Sequence, residues 1–93
     1  MQIPKKLKIG RKKYAVAQVP QVSKSHVGRV YPDIGLIKIG NDSPNKARTF
    51  WHEVTHAILH DMGDLHWRDE EFVTRFSARL EYMIRTAEFD GKA

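Results

Sequence analysis

Short runs in the first forty residues alternate apolar and polar side chains, which is the pattern of β-strands. The runs cover residues 7–9, 14–19, 26–31 and 35–40. Gly10-Arg11 and Pro32-Asp33 interrupt them, as the turns of two hairpins would. We therefore expect a small, mostly antiparallel sheet of three or four strands, and the run from Leu36 to Ile39 is the best strand.

After residue 40 the apolar spacing changes to three and four residues, which predicts helices. A first helix is predicted over about residues 44–62, with Ser43 or Asp42 as its cap and Gly63 after its end. A second is predicted from a cap at Asp69 to about Ala87. We expect residues 88–93 to be frayed. The apolar stripe predicted for the second helix consists of Phe72, Val73, Phe76, Leu80, Met83, Ile84 and Ala87.

The change from strands to helices predicts an α+β fold, and the length of 93 residues suits a single domain covering residues 1–93. No run approaches the apolar length of a membrane span, so we expect no membrane partner. The start, Met-Gln-Ile-Pro-Lys-Lys, has no apolar stretch typical of a secretory signal. Cysteine is absent, which excludes disulfides and thiolate metal sites and suits a reducing compartment. We therefore expect a cytoplasmic protein.

Charge is distributed unevenly along the chain. Residues 1–48 contain 11 Lys or Arg and 2 Asp or Glu, whereas residues 49–93 contain 5 and 9. The densest basic cluster lies within residues 5–13, and no aromatic residue interleaves with it before Tyr14. Stacking on aromatic side chains is a main source of affinity for single strands. We therefore interpret the cluster first as a solvated face and do not expect nucleic acid as the main partner; a nucleic-acid-associated protein using residues 5–13 is kept as a third hypothesis.

The most informative segment is His52-Glu53-Val54-Thr55-His56, an HExxH motif in the middle of the first predicted helix. At 100° per residue, two histidines four apart lie about 40° from each other, so both imidazoles can bind one metal ion. Glu53 lies about 60° beyond His56, beside that pair. This arrangement is typical of catalytic zinc, where two histidines are ligands and the glutamate accepts a proton from the activated water.

A catalytic zinc ion needs a third protein ligand. Leu59 and Met62 stand where a metzincin would have glycine and histidine, so that class is excluded. The second helix instead begins with three acidic residues. Glu70 lies at the edge of the predicted apolar face and is the first choice. Glu71, Asp69 and another residue such as His66 stay open as alternatives.

These segments resemble the small HExxH zinc metallopeptidases of phage and prophage genomes, which are similar to minigluzincins and to the core of the ImmA/IrrE metallopeptidase family. Residues 49–60 carry most of the match, and residues 69–80 look like that family's glutamate helix. Together with the two hairpins, the resemblance covers roughly residues 5–87. It implies a zinc endopeptidase with His52, His56 and Glu70 as ligands and Glu53 as general base.

The resemblance also implies a peptide or protein substrate extended along an edge strand, here expected at Leu36 to Ile39. Two positions depart from the family pattern. Thr55 stands beside the second histidine in place of Gly or Ala, and no downstream Tyr or His is placed to stabilise an oxyanion. The predicted function is therefore a zinc metallopeptidase, with a metal-binding regulatory or host-interaction module of little or no peptidase activity as the alternative.

Overall fold

Four strands and two helices form the fold, which a computed structural model describes for residues 1–89. The strands are β1 (Lys6–Ile9), β2 (Lys12–Val19), β3 (Gly28–Tyr31) and β4 (Leu36–Gly40), and the helices are α1 (Lys46–Asp61) and α2 (Glu70–Thr86). The predicted α+β class, with a small sheet packed on two helices, is confirmed. Of the predicted frayed end, residues 90–93 lie outside the described part of the chain.

The sheet has the strand order β1-β2-β4-β3. Both predicted hairpins are present, because β1 pairs antiparallel with β2, and β3 pairs antiparallel with β4. The two hairpins join through a parallel pairing of β2 with β4. The predicted edge position of Leu36 to Ile39 is therefore wrong. β4 is an interior strand with fully buried Ile37 and Ile39, and β1 and the short β3 form the two edges.

The core lies between one face of the sheet and α1. Phe50, Val54 and Ala57 of α1 pack with Ile37 and Ile39 of β4, and all five are buried. Helix α1 starts later than predicted, because Asn45 and not Ser43 or Asp42 is its cap: the Asn45 side chain accepts the Arg48 N–H at 3.0 Å. This packing fixes the rotation of α1 about its axis and hence the direction of its histidines.

Helix α2 is rotated relative to the prediction. Its buried residues are Val73, Ser77 and Glu81, whereas Phe72 and Phe76 are exposed. At 100° per residue the buried three lie about 40°, 80° and 120° from Asp69, and Glu70 lies at about 100°. Ser77 allows the close approach to α1 that a phenylalanine there would prevent. The rotation therefore places Glu70 near the middle of the face that meets α1.

Neither helix of residues 1–89 combines the length and the apolarity that crossing a membrane requires.

Candidate metal centre

The HExxH motif lies in the middle of α1, as predicted. Glu53, Thr55 and His56 are buried, and His52 is partly buried. The Thr55 hydroxyl donates to the Trp51 carbonyl at 2.7 Å, so the polar group of this buried residue has a hydrogen-bond partner. The motif is thus held on a rigid helix, whose opposite side packs in the core.

His52, His56 and Glu70 form one cluster, in which the potential ligand atoms all lie within 4.8 Å of one another. His52 Nε2 lies 3.2 Å from His56 Nε2, and the two Glu70 carboxylate oxygens lie 3.0 Å from His52 Nε2 and 2.9 Å from His56 Nε2. The Glu70 side chain crosses from the first turn of α2 to reach both rings. The predicted grouping of these three residues is confirmed.

The spacing of the cluster fits a tetrahedral metal. Two ligand atoms about 2.0–2.1 Å from zinc are about 3.3 Å apart at the tetrahedral angle. The nitrogen–nitrogen and nitrogen–oxygen distances of 2.9–3.2 Å are close to this value. Two imidazoles and one carboxylate are also a donor set that zinc accepts in catalytic sites. The residues therefore fit a zinc site with three protein ligands.

A hydrogen bond on the far side of His56 fixes which ring nitrogen faces the cluster. His56 Nδ1 bonds the carbonyl oxygen of Trp67, which can only accept, so Nδ1 carries the proton. In a neutral imidazole the lone pair is then on Nε2, which points at His52 and Glu70. Such outer partners orient metal-binding histidines in many proteins. The lone pair, the second imidazole and the carboxylate converge on a point that a cation can occupy.

Glu53 is in an environment unlike that of Glu70. Its side chain is buried, with 7% of the residue exposed, whereas 71% of the Glu70 side chain is exposed. Burial, followed by the nearby Glu70 charge, raises the pKa of Glu53 to about 8, and Arg29 opposes the rise. Burial and the neighbouring His56 lower the pKa of His52. Low charge on His52 favours metal binding, and a bound cation would in turn favour the ionised form of Glu53.

Space for the Glu53 side chain comes from Gly28 on edge strand β3. A Cβ atom at Gly28 would lie 2.5 Å from Thr49 Cγ2, 3.0 Å from Glu53 Oε2 and 3.1 Å from Glu53 Cγ. These contacts are shorter than side chains tolerate without moving. Gly28 therefore permits the edge strand to lie directly over the HExxH helix. Sequence patterns did not single it out, because a glycine within a predicted strand has many explanations.

We expect Gly28→Ala to impair any catalytic role of Glu53 while metal binding by His52, His56 and Glu70 is retained. The new methyl group displaces Glu53 from its position and overpacks the strand against Thr49, at a cost of about 1–3 kcal/mol. Urea titration gives the change in the free energy of unfolding, zinc stoichiometry reports metal binding, and kcat/KM for peptide hydrolysis reports activity. Adding Thr49→Ser removes Cγ2 and keeps the hydroxyl that bonds Ser43 Oγ, so part of the stability should return. An unchanged activity in Gly28→Ala would contradict this account.

The alternative third ligands lie elsewhere. The Asp69 side chain accepts the Phe72 N–H at 3.0 Å as the cap of α2. His66 Nδ1 pairs with Asp64 Oδ1 at 2.9 Å in the connector. Glu71 lines a separate hollow of about 400 Å³ on the other side of α2, with Phe72 and Phe76. Among residues 1–89, none of these three belongs to the His52 cluster.

A cleft of about 280 Å³ opens in front of the cluster. It lies between β3 and the start of α2, and its walls include three residues with cationic or ionisable side chains, namely His26, Arg29 and Arg68. His26 precedes β3, and the hydroxyls of Ser23 and Ser25 lie 3.3 and 3.0 Å from its Nδ1. No spacing in the sequence connects these residues with the motif, so sequence reasoning missed their place beside it.

Comparison of the chain with family models, curated proteins and solved structures gives no significant match.

Proposed function

We propose that this protein is a zinc-dependent peptidase of the gluzincin type. His52, His56 and Glu70 would hold the metal, and Glu53 would act as general base. The observation that carries the proposal is the convergence of two imidazole nitrogens and a carboxylate at the spacing of zinc ligands, beside a buried glutamate. The resemblance to small HExxH metallopeptidases supports the same roles.

The chemistry of the site follows from its donor set. Zinc with three protein ligands supplies Lewis-acid activation of a water molecule and of the scissile carbonyl. Glu53 takes a proton from the attacking water and passes it to the leaving amine. Burial makes the Glu53 carboxylate a stronger base, and a bound cation would favour the ionised form from which it accepts the proton. His56 keeps its orientation through the Trp67 carbonyl.

The substrate would extend along β3, the edge strand beside the cleft. An edge strand has unpaired backbone N–H and C=O groups, with which an extended peptide can form ladder hydrogen bonds. Gly28 and Val30 of β3 line the cleft, so a peptide on this edge would pass the cluster. His26 is the proposed oxyanion donor: serine hydroxyls at its Nδ1 allow Nε2 to carry the proton.

The proposal is tested by metal content and hydrolysis measured on one preparation. We expect one zinc ion per chain after reconstitution, and cleavage of a mixed peptide library that a chelator abolishes and added zinc restores. Mass spectrometry of the products reports the cleaved bonds. A protein that binds no zinc after reconstitution would contradict the metal site. One that binds zinc without cleaving any peptide would contradict the peptidase function alone.

A further inference from the structure

The sheet has a second face, which does not form the core. Side chains alternate between the two faces of a strand, and the core residues Ile37 and Ile39 point towards α1. The strand registers place the remaining set together on the opposite side. We define the outer face as Lys6, Lys8, Lys13, Ala15, Ala17, Arg29, Tyr31, Leu36 and Lys38.

The outer face is positively charged without compensation. The four strands contain no Asp or Glu, and five of the nine residues of the outer face are Lys or Arg. Within residues 1–89, none of the five takes part in a salt bridge. This surface combines the basic cluster of the first hairpin with two cations from the second, Arg29 and Lys38.

The arrangement of these cations lowers the stability of the fold, so stability does not explain it. Lys8 lies directly opposite Lys13, and Arg29 lies directly opposite Lys38. Like charges facing each other across a strand pair reduce stability. Lysine on an edge strand can be explained as protection against strand pairing, but Lys38 is on the interior strand β4. A polyanion bound to this face would turn the repulsion into attraction.

Tyr31 adds an aromatic ring to the cations. Lys38 Nζ lies 5.5 Å and the Arg29 Cζ atom 5.9 Å from the centre of the Tyr31 ring. Because the side chains of Ala15 and Ala17 are small, the middle of the outer face is recessed relative to the lysine and arginine side chains around it. Phosphates in reach of cations and a base in reach of an aromatic ring are the two requirements of single-strand recognition. An acidic peptide would need only the first.

From this juxtaposition we propose that the outer face binds single-stranded nucleic acid, with the five cations on its phosphates and Tyr31 stacked on a base. The sequence argued against this partner, because the basic cluster of residues 5–13 contains no aromatic residue. The fold supplies the missing ring from β3. Except for Arg29, whose side chain also borders the cleft, this surface lies on the opposite face of the sheet from the metal cluster. The proposal therefore goes beyond the peptidase function and does not depend on zinc.

Fluorescence anisotropy with a labelled 20-nucleotide single strand of mixed sequence tests the proposal. We expect binding at low salt that is the same with and without added zinc. The logarithm of the binding constant should fall with that of the salt concentration, with a slope of about −0.7 for each phosphate contact. Lys13→Gln with Lys38→Gln should reduce this slope by about 1.4. Tyr31→Leu should weaken binding by about 5- to 150-fold, the effect of losing one stacked base.

The control variant is Arg75→Gln with Arg79→Gln, which removes the same charge from the exposed side of α2. If the binding site is on the sheet, the affinity of this variant should stay within about twofold of that of wild type. Polyglutamate of matched charge is the competing probe. Equal affinity for polyglutamate, with no effect of Tyr31→Leu, would overturn the proposal in favour of an acidic protein partner. Absence of binding at low salt would overturn it altogether.

Discussion

Replacing Glu53 by Gln is expected to lower kcat/KM for peptide hydrolysis by about 10²- to 10⁴-fold, the usual contribution of a general base. The amide keeps the size of the side chain in its buried position beside Gly28 but cannot take a proton from the attacking water. The three clustered residues are unchanged, so zinc stoichiometry should stay at that of wild type. Zinc content and peptide turnover measured on the same sample separate the two effects.

The matched control is Glu71→Gln, the same substitution at an exposed glutamate outside the cluster, and its turnover should equal that of wild type. The experiment also separates the peptidase from the alternative predicted by the sequence, a metal-binding regulatory module. Such a module would retain its function in Glu53→Gln, because it needs the metal and not the base. Full turnover in the variant would exclude Glu53 as the base while leaving the metal site intact.

The motif and its helix were predictable from sequence, because both depend on local spacing. His52 and His56 share a face in any α-helix that contains them, whatever packs around it. The cap of α2 at Asp69 is likewise local, and the structure shows it as predicted. The start of α1 was wrong by two positions, because three polar residues before the helix can each act as a cap.

The edge strand could not be predicted from sequence, because strand order depends on non-local pairing. The run from Leu36 to Ile39 is apolar enough for either an edge or an interior position. Only the parallel pairing of β2 with β4 makes it interior and leaves β3 exposed beside the cleft. The same pairing brings Arg29 and Lys38 onto one face with the basic cluster of the first hairpin. Neither the edge position of β3 nor the joining of Arg29 and Lys38 to the basic cluster has a signal in the linear sequence.

The apolar stripe of α2 predicts the wrong rotation for this helix, because the stripe is not centred on the face that packs against α1. In the structure Val73 of the predicted stripe is buried, but Ser77 and Glu81 are buried with it, and Phe76 is 50% exposed. Serine and glutamate are polar, so a hydrophobicity pattern does not predict that their face of the helix is buried. The sequence nevertheless favours Glu70 over Glu71 and Asp69 as the third ligand, because Glu70 lies at the edge of the predicted apolar face of α2. The actual rotation moves it from the edge to near the centre.

Replacing Glu70 by Ala is expected to weaken zinc binding by more than about 100-fold, since changes to outer partners of zinc ligands alone cost about 10- to 100-fold. Glu71→Ala is the matched control: it removes the same side chain from the next position of the same helix turn and should bind zinc like wild type. Competition with a chromophoric chelator gives the affinities. Far-UV circular dichroism checks folding, which the loss of a largely exposed side chain should leave intact.

Thermal unfolding provides a second measurement that does not depend on the chelator. A ligand that binds only the folded state raises the free energy of unfolding. At ligand concentrations well above the dissociation constant, this increase grows with the logarithm of the ligand concentration. Zinc should therefore raise the Tm of wild type and of Glu71→Ala and leave that of Glu70→Ala nearly unchanged. Glu70→Gln, which keeps the shape and one carbonyl oxygen but loses the charge, should give an intermediate rise.

The opposite result, loss of zinc binding in Glu71→Ala alone, would contradict more than the choice of ligand. Neighbouring residues of a helix differ by about 100° in direction, so Glu71 could reach His52 and His56 only if α2 turned by about that angle. Such a turn would expose Val73 and Ser77, which are buried against α1. The pair of variants thus tests the packing of α2 as well as the metal site, because the same rotation determines both.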